Sequence, residues 1–317
     1  MDHLMPFPEL AVTHAGIFHA DDVCACAFLQ LINSRITVLR TNDVEAAKLH
    51  DPRLFASLNY VVFDIGGGEF DHHTPETVEK RPPRPMRDPH DEPYSSFGKI
   101  VRAYHDYLMS DDEYQRFDRR ICVPIDYTDC VGKLWGGAPN MLSDFISSMN
   151  GSWYEDNSSG VQFSRFMAAV ALARDYIERT IDHIKHDTEA DELVEAAIRK
   201  SLDQGIRHFI ELDRYAEFVP TFRRFKNASF AWAMYPSLRG GWQIYSARIF
   251  GENRDALTDQ DINWMKETFG DKVTFVHPGK FTASFSTRAV AREVMMHLEK
   301  TWDERQHPDD DPVVIRQ

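Results

Sequence analysis

Three short stretches carry side chains able to do chemistry together: His14, His19 and Asp21 in THAGIFHADDV, Asp64 with Asp71, His72 and His73 in VVFDIGGGEFDHH, and Asp126 in PIDYTD. Histidine and carboxylate donors without thiolates suit manganese, iron, zinc or cobalt, and a carboxylate can bridge two ions through its two oxygens. Two ions held about 3.5 to 4 Å apart clamp a phosphoryl group and supply a hydroxide nucleophile. Each piece also has a plainer explanation. His14 can be an ordinary hydrogen-bonded loop histidine, and His19 with Asp21 can cap a helix whose dipole favours a carboxylate. Asp126 can pair with Arg119 or Arg120, and the histidine pair can brace a turn. Asp64 resists such a reading, because an ionised carboxylate directly after the apolar run YVVF must be paired or bind a cation. All the plain explanations must hold at once for a shared metal centre to vanish.

The elements that would position these residues alternate between strand and helix. LAVTHAG reads as a strand leading into a loop, DDVCACAFLQLIN as a helix, ITVLRT as a second strand and DVEAAKLH as a short helix. YVVFDI reads as a third strand, its continuous apolar character suiting a sheet buried on both faces. The alternation predicts a parallel α/β sheet. Ligands in such sheets gather beyond the carboxyl ends of strands, where His14 and Asp64 fall. From Thr74 to Pro93, six prolines (Pro75, Pro82, Pro83, Pro85, Pro89 and Pro93) forbid regular structure and predict a long loop. YSSFGKIVRAYHDYLM then reads as a serine-capped helix. A second helix, DDEYQRFDRRICVPIDYTD, should bend or end near Asp126 because of Pro124.

Further on, LWGGAPN and NGSWYEDNSSG loosen the chain ahead of a long helical region over 161–205. ASFAWAMYP and GWQIYSARIF read as aromatic-rich strands joined at a Gly-Gly turn, and KVTFVHPGKF leads into the helix TRAVAREVMMHLEKTW. The expected organisation is therefore an α/β domain over 1–135, a helical connector over 136–215 and a smaller α+β lobe over 216–317. No internal repeat is visible.

Composition narrows the function classes. With 43% hydrophobic and 27% charged residues over 317 positions, the chain is expected to be a soluble globular protein with a sizeable core. It has no stretch of about 18 apolar residues to span a bilayer, and the start MDHLMPFPELAVTHAG lacks a basic region followed by an apolar one. A cytoplasmic location without membrane association is expected. Cys24, Cys26, Cys122 and Cys130 form no CxxC pair and are expected as reduced, buried thiols. The net charge of -14 repels polyanions on average and argues against a dedicated duplex-binding protein, while leaving room for a nuclease with a local basic groove. Positive charge does gather in KRPPRPMR and between Arg199 and Lys226. No GxSxG elbow is present, and DIGGGEF matches neither GxGxxG nor a Walker A loop; its glycines free the chain to turn from Asp64 toward Asp71.

In their order along the chain, THAGIFHADDV, VVFDIGGGEFDHH, SSFGKIV and PIDYTD resemble the DHH phosphoesterase superfamily and, more closely, the melanocyte-proliferating-gene family of metal-dependent exonucleases. The likeness continues through WAMYP, GWQIYSAR and FVHPGKF and so spans nearly the whole chain. It implies that 1–135 is a DHH-type catalytic domain holding two divalent ions. His14, His19 and Asp64 would hold one, and Asp21, Asp64, His72 and Asp126 the other, with Asp64 bridging. Mn2+ is the expected ion, with Mg2+, Co2+ and Zn2+ as alternatives. The catalytic positions implied are His72, His73 and Asp71, His73 lying near the phosphate and Asp71 anchoring the turn. In the second lobe, GKFTASFSTR has Gly279 but no Gly-Gly patch for a terminal phosphate, and YTDCVGK departs from the Asp-Asn-Gly pattern of the closer family. His277, Lys280 and Arg288 are the candidates for a phosphate grip there, against the reading of ordinary exposed charges at a helix start. The function implied is a divalent-metal-dependent phosphodiesterase, a 3' to 5' exonuclease on single-stranded RNA or short oligonucleotides that attacks with a hydroxide held by two ions. The alternatives are a small-molecule phosphatase or pyrophosphatase, which the acidic charge and missing glycine patch favour, and a non-catalytic metal-binding protein. A homodimer is the assembly considered.

Overall fold

Strands β1 (Leu10–His14), β2 (Thr37–Thr41) and β3 (Tyr60–Val62) form an all-parallel sheet in the order β2-β1-β3. The computed structural model describes residues 5–82, 92–132, 140–224, 230–247 and 256–302, and this sheet belongs to the first of two units, Met1–Lys185 and His186–Gln317. Leu10, Ala11 and Val12 on the central strand are fully buried, as an apolar strand covered on both faces requires. Val12 pairs with Val62, so His14 and Asp64 each stand two residues past that pair and leave the sheet at one level on its carboxyl edge.

Helix α1 (Ala20–Ile32) is buried at every residue from Ala20 to Leu29, the behaviour of a helix apolar on all sides rather than along one stripe. Two short helices, α2 (Val44–His50) and α3 (Pro52–Ser57), start at Asp43 and Asp51, whose side chains accept from Ala46 N–H and Leu54 N–H. Helix α4 (Ser96–Tyr104) shares the main core with α1; Phe28 and Phe97 are fully buried in it, each contributing on the order of 1.5–3 kcal/mol. Helix α5 (Asp111–Phe117) runs through a π-helical turn at Asp118–Cys122 into α6 (Val123–Val131). Of the two expected outcomes, a bend or an end near Asp126, the end does not occur, and the irregular turn falls just before Pro124. Pro124 sits in the first turn of α6, where a missing N–H is tolerated, and the helix stops at a left-handed Gly132.

Part of the expected proline loop is paired. Arg81 N–H donates to Glu92 O at 2.8 Å and Tyr94 N–H to Glu79 O at 2.9 Å, closing its two arms like a hairpin base. Residues 83–91, with most of the basic cluster KRPPRPMR, lie outside the described residues, as does 133–139 with most of LWGGAPN. Helix α7 (Met141–Ser148) follows, then α8 (Ser159–Asp203), which buries Phe166, Val170 and Ile177 in the core of the first unit.

In the second unit, Val194 and Ile198 of α8 pack with Ile210. β4 (Phe209–Glu211), α9 (Val219–Arg224), β5 (Trp232–Pro236), β6 (Trp242–Ser246), α10 (Asp259–Phe269), β7 (Val273–Val276), β8 (Thr282–Phe285) and α11 (Arg288–Lys300) follow. The sheet order is β4-β5-β6-β8-β7, parallel between β4 and β5 and antiparallel elsewhere. The expected Gly-Gly turn joins β5 to β6: Gly240 and Gly241 take φ of 91° and 72°, and a Cβ at Gly241 would meet Phe285 O at 2.2 Å. β4, β8 and α10 were not anticipated. TASF is a strand because β6 and β7 flank it, not because of its own propensity. The chain is thus a mixed α/β protein with a parallel three-stranded sheet near its N-terminus and a separate mixed sheet near its C-terminus. None of the described helices is long and apolar enough to cross a membrane.

Candidate metal centre

The loop after β1 is tied down from two sides. Arg40 on β2 donates from Nε to His14 O (3.0 Å) and from Nη2 to Gly16 O (3.1 Å), its guanidinium 4.3 Å from the centre of the Phe166 ring. Asn150 accepts from Phe18 N–H at 3.0 Å and donates to Phe18 O at 2.9 Å. These clamps present His14 and deliver the chain into α1, where Asp22 accepts from the N–H of His19 at 2.9 Å. The helix-cap reading is therefore met by Asp22, which leaves Asp21 for something else.

After β3, Asp64 adopts a left-handed φ of 58°, a region aspartate tolerates better than most residues. The turn brings the DHH triplet back beside it. Asp71 accepts from the N–H groups of Gly67 (2.7 Å), His72 (2.7 Å) and His73 (3.2 Å) and pairs with His73 Nδ1 at 2.7 Å. Burial raises the Asp71 carboxyl, but the Gly67 N–H and His73 outweigh it and leave the group below its ordinary range. The buried Lys99 ammonium donates to the carbonyls of Glu69 (3.2 Å), Asp71 (2.6 Å) and Thr77 (2.5 Å), cross-linking this loop to α4. The triplet is held from within by Asp71 and from below by Lys99.

The side chains so placed converge. His14 Nε2 lies 3.1 Å from Asp64 Oδ2 and 3.3 Å from Asp22 Oδ2. His72 Nδ1 is 3.1 Å from Ser96 Oγ, 3.5 Å from Asp64 Oδ1 and 3.8 Å from Asp21 Oδ2, and His72 Nε2 is 2.9 Å from Asp129 Oδ2. His73 stacks on His72 with ring centroids 4.3 Å apart. Donor atoms of His14, Asp22 and Asp64, and likewise of His19, Asp21 and Asp129, lie within 4.8 Å of one another. Ser96, Asp22 and Asp129 were not selected from the sequence. Asp22 had a signal in its place beside Asp21 at the helix start.

Asp126 is placed differently. Its Oδ2 receives Arg81 Nη2 at 2.6 Å, and its Oδ1 receives Ser95 Oγ at 2.5 Å and Gly98 N–H at 3.1 Å. Arg81 also pairs with Asp118 at 2.6 Å. The partner is an arginine, as the plain reading held, but Arg81 from the loop rather than Arg119 or Arg120. Asp129, three residues on, is the carboxylate that α6 turns toward His72.

The electrostatics favour a cation. Asp21, Asp22 and Asp64 are at most 3% exposed, and neither oxygen of Asp21 nor Oδ2 of Asp22 accepts a hydrogen bond. Burial, reinforced by Asp64, Asp129 and Asp22, holds the Asp21 carboxyl well above its usual value. Burial also lifts Asp22 to about 7 against the opposing pull of His14. For His14, burial lowers the pKa, but the bond to Asp64 and the charge of Asp22 win and raise it to about 9. Buried carboxylates without donors are costly unless protonated or bound to a cation. Histidines and carboxylates aimed at them form a donor set that divalent ions accept.

The proposed phosphate grip lies in the second unit. His277 Nδ1 accepts from Gly279 N–H at 2.9 Å, Lys280 pairs with Asp259 at 2.9 Å, and Arg288 pairs with Glu211, which also holds Arg292. Lys280 and Arg288 thus have acidic partners within their own unit.

The fold and the cluster define an α/β protein with a histidine and carboxylate cluster at the carboxyl edge of a parallel sheet, whose donor atoms could hold a metal ion. The chain belongs to the Uncharacterised protein family (UPF0160), whose model matches residues 10–297. It is 26% identical over 223 residues to a protein named MYG1 exonuclease from Bos taurus and 27% identical over 221 residues to one of the same name from Homo sapiens. Each match covers 62% of this chain and 56% of the relative, so the matched region spans little more than half of those proteins. A MYG1 protein of Chlamydia trachomatis is 24% identical over 203 residues, 62% of either chain. No solved structure matches.

Proposed function

We propose that this chain is a divalent-metal-dependent phosphodiesterase of the DHH type, a 3' to 5' exonuclease acting on single-stranded RNA or short oligonucleotides. The observation that carries the reading is the buried Asp21, without hydrogen-bond donors, among His19, Asp64, His72 and Asp129. The names of the mammalian relatives add the nuclease activity. His14, Asp22 and Asp64 would hold one ion and Asp21, His72 and Asp129 a second, with His19 beside them and Asp64 between the two sets. Bound divalent ions supply neutralisation of phosphoryl charge and acidify water toward a pKa of about 7.

The chain's own residues do the rest. Asp71 occupies Nδ1 of His73, which fixes that imidazole's orientation and leaves Nε2 free to meet a phosphoryl oxygen. The side chain of His73 is 57% exposed, and that of His72 8%, so His73 is the one a substrate can reach. Ser96 links His72 to Asp64, holding both at one spacing. Lys99 and the Asp71 turn keep the loop from moving when a charged substrate enters.

The test is incubation of the purified chain with Mn2+ and end-labelled oligoribonucleotides, dinucleotides or pyrophosphate. Shortening from the 3' end that requires the ion and is lost in Asp64→Ala is the expected result. Pyrophosphate turnover without chain shortening would replace the nuclease by the small-molecule phosphatase that the net charge of -14 favours. Ion uptake without any turnover would leave a metal-binding protein.

A further inference from the structure

Cysteines at 24, 26 and 122 are fully buried, whereas Cys130 is exposed. It follows Asp129 in the last turn of α6, and a donor atom from each of His72, Asp129 and Cys130 lies within 4.8 Å of the other two. Donors about 2.0–2.3 Å from one tetrahedral ion stand roughly 3.3–3.8 Å apart, so separations of at most 4.8 Å need shorten by no more than about 1.5 Å to bring these three onto a common ion. A second feature points the same way. Asp21 is fully buried, neither of its oxygens accepts a hydrogen bond, and one of them lies within 4.8 Å of a carboxylate oxygen of Asp129.

We propose that Cys130 is a donor, beside His72 and Asp129, to one of the divalent ions of this centre, and that its sulfur makes that position select Zn2+ or Co2+ over Mn2+ or Mg2+. The proposal rests on the reading that the cluster binds divalent ions and adds which ion one half of it prefers. Thiolate sulfur favours zinc and cobalt, while manganese and magnesium prefer oxygen. Ligation forms the sulfur–metal bond and releases the Sγ proton to solvent. The two halves of the centre then differ: His14, Asp22 and Asp64 offer only nitrogen and oxygen, whereas the α6 side offers nitrogen, oxygen and sulfur.

Titrating the metal-free full chain with Co2+ tests this without any assay of activity. Cobalt bound to thiolate gives a sulfur-to-metal charge-transfer band in the near ultraviolet, distinct from the visible ligand-field bands of any bound cobalt. Wild type should show both. Cys130→Ser should lose the charge-transfer band while keeping visible bands. Cys130→Asp, which restores an oxygen donor, should bind cobalt without that band and shift preference toward Mn2+ in competition. Visible bands without charge transfer in wild type, or a charge-transfer band that survives Cys130→Ser, would overturn the role of Cys130 and leave the metal centre standing. Absence of cobalt and manganese binding in wild type would overturn both.

Discussion

Asp126 and Asp21 are both carboxylates with no exposed surface in the same unit, and their surroundings are opposite. Around Asp126 the protein supplies its own cation: Arg81 reaches in from the loop, and Ser95 and Gly98 occupy the other oxygen. Around Asp21 neither oxygen accepts a hydrogen bond, and four more carboxylates act on it, Asp64, Asp129, Asp22 and Asp126 itself. Burial raises both groups. At Asp126, Arg81 pulls against it and the carboxyl stops at about 6, whereas the charges named around Asp21 all push the same way. The difference separates a carboxylate whose charge the protein itself neutralises from one whose surroundings could take a cation from solution.

The strongest way to break the comparison is Arg81→Met, which leaves Asp118 and Asp126 buried without their guanidinium. Losing one partner of a buried pair costs about 3–5 kcal/mol, so chemical denaturation should register a destabilisation of that size, and added Mn2+ should not repair it. Gly98→Ala strikes the same pocket more gently. A Cβ there would lie 1.9 Å from Asp126 Oδ2 and 2.8 Å from Arg81 Nη2, and overpacking of this kind costs about 1–3 kcal/mol. Asp21→Asn should do the reverse in the metal-free protein. An asparagine there is neutral without having to take up a proton on folding, which raises stability by on the order of 1 kcal/mol, while the gain in melting temperature on adding a divalent ion is lost. If Asp21→Asn destabilises the metal-free protein as Arg81→Met does, the two carboxylates are equivalent and the contrast fails.

The smallest effect is a pH trend. Asp22 is raised from 3.8 to about 7 and His14 from 6.5 to about 9, so the folded metal-free chain holds protons more tightly than the unfolded one at both positions. Stability from such groups is fully present below their unfolded values and is lost as pH rises through the folded ones. The metal-free melting temperature should therefore fall between roughly pH 4 and 9, Asp22 governing the lower part and His14 the upper. Saturating Mn2+, which takes the place of those protons, should flatten the fall, and thermal melts across that range with and without the ion measure both.

Much of this was readable from residue order. The apolar runs of β1 and β3, and the helical spacing of α1 between β1 and β2, lead to a parallel sheet with His14 and Asp64 at its carboxyl edge. The run of glycines after Asp64 announces a turn that returns the DHH triplet to that edge. Other features were not readable, because they depend on partners distant in sequence. β8 is a strand by virtue of β6 and β7, and the arms of the proline loop pair at Arg81 and Glu92 although prolines surround them.

The carboxylates of α6 show the division at its clearest. PIDYTDC places two aspartates and a cysteine on one helix, and of the three only Asp126 was expected from the sequence as a donor. Their assignment needed packing in three dimensions. The π-helical turn at Asp118–Cys122 inserts a residue, worth about 100° of rotation, ahead of α6. Arg81, 45 positions away in the chain, fills the space that α6 then offers to Asp126. Helix phase and a distant guanidinium turn Asp126 into a structural anchor and leave Asp129 and Cys130 beside His72, and neither is written in local spacing.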